Sequence, residues 1–263
     1  YPSSETVKWG FKKDEVDNNI LLEFINRYRK KIPFFNHQFL NFYTKKLISQ
    51  RGVKFLNNAD IVIGWAGSSL EMFSKAKEKK IITVLDKGST HYSYKIKILK
   101  KAYNAAGINF EIDHFQWKRE LAEYKLADYI AVPSQYVKKT FTDNGIEEKK
   151  LLVNPYGVDI SQFEKIKKND KKFRIIFSGT ASIRKGFHFL LQAFSELNLP
   201  NSELYHVGNV NSEVKSFITK YKSSNIKFVG HKPQNELSKH YSKGSILVLP
   251  SVEEGLAMVQ LQA

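Results

Sequence analysis

The fold is decided by residues 173–186, FRIIFSGTASIRKG, where an apolar run meets a turn of small and basic residues. The apolar run 173–177 predicts a buried strand, and residues 187–197 have the apolar spacing of a helix. Small residues such as Gly179 let the backbone approach a ligand, and adjacent cations at a helix start favour a diphosphate. An ordinary strand-to-helix turn with a solvated pair of cations explains the same residues.

A second segment, PSVEEGLAMVQLQA at 250–263, follows another apolar run. Glu254 beside Gly255 can accept hydrogen bonds from sugar hydroxyls, while backbone amides of the next turn can hold a phosphate. Glu254 and Gln262 would lie near one face if both were on a helix, because they are about two turns apart. The alternative is a carboxylate that caps a helix start.

The apolar runs around these segments predict an α/β fold with parallel sheets, because they alternate with amphipathic stretches from Ala59 onward. The predicted strands are 61–64, 81–85, 129–132 and 151–153 in a first set, and 173–177, 204–207, 226–229 and 246–249 in a second. We expect the second set to be buried. Helices should fill the gaps between strands.

A polar, charged stretch at 161–172 predicts a linker between two domains, at 1–163 and 164–263. Two domains also fit a length of 263 residues. Apolar spacing predicts amphipathic helices within 21–28 and 39–47, with no strand before them.

The charge of the chain is +16, and its cations are mainly lysines, 36 of them against 6 arginines. So few arginines argue against a nucleic-acid partner. Residues 75–101 hold nine lysines and two acidic residues, which favours an anionic membrane surface as a partner; a solvated helix face fits nearly as well.

Several site classes are excluded by composition. The absence of cysteine rules out disulfides and thiolate chemistry, and the seven histidines show no metal-ligand spacing. We therefore expect no metal. No apolar run approaches the ~20 residues of a membrane-spanning helix.

Short motifs follow one another in order along the second half of the chain. They are ADYIAVPS at 127–134, NPYGVD at 154–159 with Phe163, Lys185 with Gly186, Val229 with Gly230, and Pro250 and Ser251 with Glu254 and Gly255. In this order and approximate spacing they resemble the retaining, nucleotide-sugar-dependent glycosyltransferases of the family four type. That family has the glycosyltransferase B fold of two facing Rossmann-like domains. Residues 86–91, DKGSTH, are similar to the Arg-Gly-Ser-Ser-His loop of a polysaccharide-assembly subset, with Lys87 in the arginine position.

The resemblance implies a donor site in the second domain. Arg184 and Lys185 would hold the donor diphosphate, and Glu254 would contact the transferred sugar. Backbone amides around Gly255 and Leu256 would reach the distal phosphate. The two cations would then stabilise the leaving group, and no protein nucleophile is required.

Two residues depart from the family pattern. Gln262 stands where relatives carry a glutamate for the ribose hydroxyls, so its hydrogen bonds would carry no charge. Thr180, after Gly179, replaces a frequent arginine, which leaves phosphate binding to the two neighbouring cations. On the acceptor side the resemblance points to Asp86 and His91.

The resemblance implies a retaining hexosyltransferase that uses a nucleotide diphosphate sugar as donor, needs no cofactor and acts in polysaccharide or glycolipid biosynthesis. Its acceptor would be a saccharide or a lipid-linked sugar, and its location cytoplasmic, peripheral at the inner membrane face. The family's opening strand is not visible before residue 60 and relatives continue beyond Ala263, so we expect a fragment with both domains incomplete. The alternatives are a degenerate, non-catalytic sugar-nucleotide-binding module and a nucleotide-sugar 2-epimerase of the same fold.

Overall fold

The computed structural model describes residues 12, 16–17, 37–164 and 166–263. Its strands are β1 Ile61–Trp65, β2 Ile82–Asp86, β3 Tyr129–Val132, β4 Leu151–Val153, β5 Phe173–Ser178, β6 Ser202–Val207, β7 Ile226–Phe228 and β8 Ile246–Leu247. Its helices are α1 His37–Gly52, α2 Leu70–Glu78, α3 Tyr92–Ala105, α4 His114–Leu126, α5 Gln135–Thr142, α6 Phe187–Leu197, α7 Lys215–Lys220, α8 Gln234–Tyr241 and α9 Met258–Gln262. In the described part of the chain no helix is long and apolar enough to cross a membrane.

The chain forms two compact units. The first comprises Tyr1–Lys87, Ile112–Ala131 and Ile146–Leu152, and the second comprises Gly88–Glu111, Val132–Gly145 and Val153–Ala263. These units do not follow the predicted boundary after residue 163, and that boundary stays a prediction.

The first sheet has the strand order β1-β2-β3-β4. β1 and β2 pair in parallel, with Ile61 opposite Ile82, and β2 pairs in parallel with β3. The predicted strands are therefore confirmed to within a residue at each end. The carboxyl end of β2 is Asp86, which lies opposite Trp65 in the sheet.

Helix α1 confirms the helix predicted within 39–47 but not the way in which it packs. Its aromatic residues Phe39 and Tyr43 are exposed, while Thr44 and Ser49 are buried. Ser49 is held inside because its Oγ accepts a hydrogen bond from the Met72 backbone amide at 3.0 Å. The helix predicted within 21–28 lies outside the described residues.

The second sheet has the order β7-β6-β5-β8, with every pair parallel. Its core contains Phe177 of β5 and Leu204 of β6, packed with Phe187 and Leu191 of α6 and with Ala102 of α3. Each large apolar side chain buried in this way contributes about 1.5–3 kcal/mol to folding. The loop between β5 and α6 therefore joins two elements that are packed in this core.

The expectation that all four strands of this set are buried is wrong for two of them. β7 and β8 lie at the edges of the sheet, and Phe228 and Ile246 are 40% and 48% exposed. An edge strand has a neighbour on one side only, so an apolar run does not guarantee burial. In the region predicted as a linker, the described residues after the turn Ile160–Gln162 form no helix or strand before β5.

Candidate functional site

The loop between β5 and α6 carries the two predicted cations, Arg184 and Lys185. It begins after Ser178, and helix α6 starts directly after Gly186. Gly186 has a φ of +68°, and a Cβ at this position would lie 1.8 Å from the Pro250 carbonyl oxygen. Only glycine allows this approach. The loop is therefore fixed against the segment that follows β8.

The segment after β8 carries the predicted carboxylate, and it is bound directly to the cation loop. The Val252 backbone amide donates to the Arg184 carbonyl oxygen at 2.9 Å. β5 and β8 are neighbours in the sheet, so their carboxyl ends bring both loops to one edge. The structure thus places the two sequence segments together.

The predicted site residues Arg184, Lys185 and Glu254 are in contact. Lys185 Nζ forms an ion pair with Glu254 Oε2, and Arg184 Nη2 lies 3.4 Å from Glu254 Oε1. All three side chains are partly exposed, at 21–32%. The family resemblance implies separate ligands for these cations and this carboxylate, whereas here they pair with one another.

Glu253 is a site residue that sequence reasoning missed. Its side chain is fully buried, and its Oε2 accepts from Arg184 Nε at 2.8 Å. Its Oε1 accepts from the Thr90 backbone amide at 3.1 Å and from Thr90 Oγ1 at 2.7 Å. Burial raises the pKa of Glu253, but the charge and hydrogen bond of Arg184 outweigh burial, so the pKa lies below its usual value.

Nothing local in the sequence distinguishes Glu253 from Glu254. The structure separates them, since one carboxylate is enclosed with Arg184 and the other is partly exposed beside Lys185. Glu253 also raises the pKa of Arg184, although burial acts in the opposite direction. The guanidinium is therefore charged and held in place.

Gly255 and its neighbours pack tightly rather than forming an open turn. A Cβ on Gly255 would lie 2.1 Å from the Gly88 carbonyl oxygen, and the Gly255 carbonyl accepts from Ser134 Oγ at 2.8 Å. Leu256, Gly179 and Thr180 are partly buried. Their predicted contacts with phosphate stay predictions.

Gln262 does not share a helix with Glu254, so the helical argument that places them on one face is wrong. α9 begins at Met258, and Glu254 precedes it in a loop. Gln262 Oε1 instead accepts from the Tyr241 hydroxyl at 3.2 Å, and that hydroxyl lies 2.9 Å from Ser178 Oγ. Gln262 is thus linked through Tyr241 to the end of β5.

The predicted acceptor-side residues are placed in different units. Asp86 ends β2 in the first unit, and burial raises the pKa of its carboxyl. His91 belongs to the second unit, where its buried ring packs edge-on against Phe141 with ring centroids 5.0 Å apart. This packing favours a structural role for His91, and contact of either residue with an acceptor stays a prediction.

Lys87, the counterpart of the family's loop arginine, is buried in the first unit. Its Nζ lies 2.5 Å from Glu120 Oε2, and both side chains are 5% exposed. Burial raises the pKa of Glu120, but the Lys87 charge and three side-chain hydrogen bonds leave it below its usual value. Lys87 therefore contributes nothing to a charged surface.

Two pockets lie in the second unit. One, of about 350 Å³, adjoins the cation cluster and is lined by Ser134, Tyr136, Ser251, Glu254, Gly255 and Leu256 among others. The other, of about 410 Å³, lies beside Tyr241 and Ile246 and has no charged residue in its lining. Neither lining includes a cation, but Glu254 in the first pocket contacts both Lys185 and Arg184. A diphosphate requires cations, so the pocket beside Glu254 is the better candidate. Within the described residues no cluster of histidine and carboxylate side chains could hold a metal ion.

Comparison with known proteins gives one family and several relatives. Residues 158–263 match the family described as glycosyl transferases group 1. An uncharacterized 41.2 kDa protein in the cps region of Klebsiella pneumoniae is 24% identical over 182 residues, 64% of this chain and 50% of that protein. An uncharacterized glycosyltransferase of Methanocaldococcus jannaschii is 27% identical over 136 residues, 52% of this chain and 37% of that protein. The chain thus spans about half the length, or less, of these relatives.

Solved structures match over most of this chain. HepE of Anabaena in complex with UDP and glucose has a TM-score of 0.60 at 15% identity, covering 82% of this chain and 59% of HepE. Sucrose-phosphate synthase of Thermosynechococcus elongatus has a TM-score of 0.64 at 16% identity, covering 84% of this chain and 58% of the synthase. At such low identity these matches describe the fold.

Proposed function

We propose that this chain, which residues 158–263 place among the group 1 glycosyl transferases, binds a nucleotide diphosphate sugar and transfers its hexose to an acceptor. The family implied by the sequence motifs is supported by that match, and the solved structures confirm the glycosyltransferase B fold. The observation that carries the proposal is the cluster of Arg184, Lys185 and Glu254 at the carboxyl edge of the second sheet.

The two cations are suited to a diphosphate. Lys185 is a flexible point charge, and Arg184 is a guanidinium that Glu253 already orients. Cations beside the diphosphate stabilise the negative charge that develops on the departing nucleoside diphosphate in the transition state. In this role Arg184 and Lys185 act on the leaving group and transfer no proton.

The transferred hexose would lie in the pocket beside Glu254. Glu254 and the hydroxyls of Ser134 and Tyr136 are hydrogen-bonding groups suited to a sugar, and Leu256 adds apolar surface. The leaving phosphate would help to deprotonate the acceptor hydroxyl, with retention at the anomeric carbon. A saccharide or lipid-linked acceptor in polysaccharide or glycolipid assembly fits this reaction.

The direct test is release of nucleoside diphosphate that depends on an acceptor. UDP-glucose is the first donor to try, because HepE is solved in complex with it, followed by its GDP and ADP counterparts. A second candidate, a non-catalytic sugar-nucleotide-binding module, is favoured by the uncharged Gln262 in place of a glutamate. Donor binding without release of diphosphate would select the module.

Peripheral contact with an anionic membrane is proposed from charge alone. Of the lysines in 75–101, Lys87 is buried, and Lys75 and Lys77 form ion pairs with Glu78 and Asp128. Surface pairs of this kind leave less positive charge for lipid headgroups than the sequence indicates. The inner membrane face stays the proposed location.

We expect nucleoside diphosphate binding without a divalent metal, because Lys185 and Arg184 supply the positive charge. Calorimetric titration of the chain with UDP, with and without a chelator, measures this. Equal affinities within about twofold are expected. Loss of binding in the chelator would contradict the role given to the two cations.

We expect Gln262→Glu to tighten binding of a ribonucleotide by about 1 kcal/mol, because a charge-assisted hydrogen bond replaces a neutral one. The comparison is between UDP and its 2′,3′-dideoxy analogue, which lacks the ribose hydroxyls. Tightening should be confined to UDP. An equal gain for both nucleotides would show that residue 262 does not face the ribose.

A further inference from the structure

The two cations assigned to the donor are already engaged by a carboxylate of the same chain. Glu254 pairs with Lys185 through one oxygen and lies 3.4 Å from Arg184 through the other. A diphosphate that binds the same cations must therefore displace this carboxylate. Glu254 is free to move because it lies in the loop before α9 and is 24% exposed.

The neighbouring carboxylate does not share this freedom. Glu253 is fully buried and is held by Arg184 and by two hydrogen bonds from Thr90. Arg184 is thus anchored through its Nε, while its Nη2 and the Lys185 ammonium face the movable Glu254. The loop combines one fixed carboxylate with one exchangeable carboxylate.

We infer that Glu254 is an internal competitor that makes the site discriminate against free nucleoside diphosphate in favour of the nucleotide sugar. The inference rests on the proposed function. When a nucleotide sugar binds, the carboxylate displaced from Lys185 finds new hydrogen-bond donors in the sugar hydroxyls. When only the diphosphate binds, the displaced carboxylate has no such donors and remains beside the phosphates.

This arrangement has a consequence for product release. After the hexose leaves, Glu254 loses its sugar partners and returns to Lys185, where it competes with the diphosphate that remains. A charge placed against the product lowers the affinity for the product without lowering that for the donor. Glu254 would then reduce product inhibition.

The test uses Glu254→Gln, which keeps the shape of the side chain and removes its charge. Free UDP should bind about fivefold more tightly to this variant, equivalent to about 1 kcal/mol, because the ion pair to be broken is partly exposed. The affinity for UDP-glucose should rise less than the affinity for UDP, or should fall. The dissociation constant of UDP divided by that of UDP-glucose should therefore decrease. Glu254→Ala should also tighten UDP, which guards against a misfolded glutamine variant.

A matched control removes the same charge elsewhere. The control is Glu196→Gln. Glu196 lies near the C-terminal end of α6, and its exposed carboxylate accepts a hydrogen bond from the Gln192 side chain. This variant should leave both affinities within about twofold. If it tightens UDP as much as Glu254→Gln does, the effect is one of net charge and the inference fails.

Nucleotide binding to the unaltered chain tests the proposed donor site, and the Glu254 variants test the competition. If UDP, GDP and ADP all fail to bind the unaltered chain, the proposed donor site is wrong and the inference falls with it. If a nucleotide binds but Glu254→Gln and Glu254→Ala leave its affinity unchanged or weaken it, the donor site stands and the competitor is refuted.

Discussion

Lys185→Ala is expected to weaken nucleoside diphosphate and nucleotide sugar alike, by about 1.5–3 kcal/mol for a lost charged hydrogen bond. That is a factor of about 10–150 in the dissociation constant. The loss is large because the substitution removes the cation and also leaves Glu254 beside the phosphates without its partner. Titration with UDP and with UDP-glucose measures both losses.

Two further variants test whether the loss is specific to Lys185 and its ion pair with Glu254. Lys239→Ala removes an exposed lysine of α8 and should leave both affinities within about twofold. In the double variant Lys185→Ala, Glu254→Ala, part of the lost UDP affinity should return, because the unpaired carboxylate is gone. A loss confined to UDP-glucose would instead place Lys185 on the sugar.

Arg184→Met is expected to destabilise the fold by about 2–4 kcal/mol, since the buried charge of Glu253 keeps its hydrogen bonds from Thr90 but loses its ion pair. The loss of unfolding free energy should be smaller than for a fully buried ion pair, because 32% of the Arg184 side chain is exposed. Urea unfolding at pH 7 measures the difference. Lys185→Met is the matched control, and it should cost less than about 1 kcal/mol, because Glu254 can reach water.

The pH dependence follows from the direction of the Glu253 shift. Its folded-state pKa lies below the usual value, so the carboxylate contributes stability above the unfolded-state pKa and loses it as the pH falls through the folded-state pKa. Without Arg184 the folded-state pKa of Glu253 should rise. The difference in the free energy of unfolding between Arg184→Met and the unaltered chain should therefore become smaller as the pH falls. Adding Glu253→Gln to Arg184→Met should restore part of the stability at pH 7. No recovery would mean that the buried charge is not the cause.

Local pattern was enough to predict most of the secondary structure. Helix α6, Phe187–Leu197, and strands β3 and β4 have the predicted bounds, because the period of apolar residues depends only on near neighbours in the chain. The exposure of Phe228 in β7 could not be predicted in this way. Position within a sheet depends on which strands pair, and an apolar run is the same at the centre and at the edge.

By itself the sequence determined the α/β class, the two loops that carry Arg184, Lys185 and Glu254, and the family to which they point. Only the tertiary structure decided how the charges pair. Thr90 and Glu253 are 163 positions apart, and the sequence does not show which of Glu253 and Glu254 is buried against Arg184 Nε. Ion pairs form between groups that folding brings within a few ångströms, and burial then fixes one carboxylate while leaving the other free to exchange. The spacing of residues along the chain determines neither the distance between two charged groups nor the burial of a carboxylate.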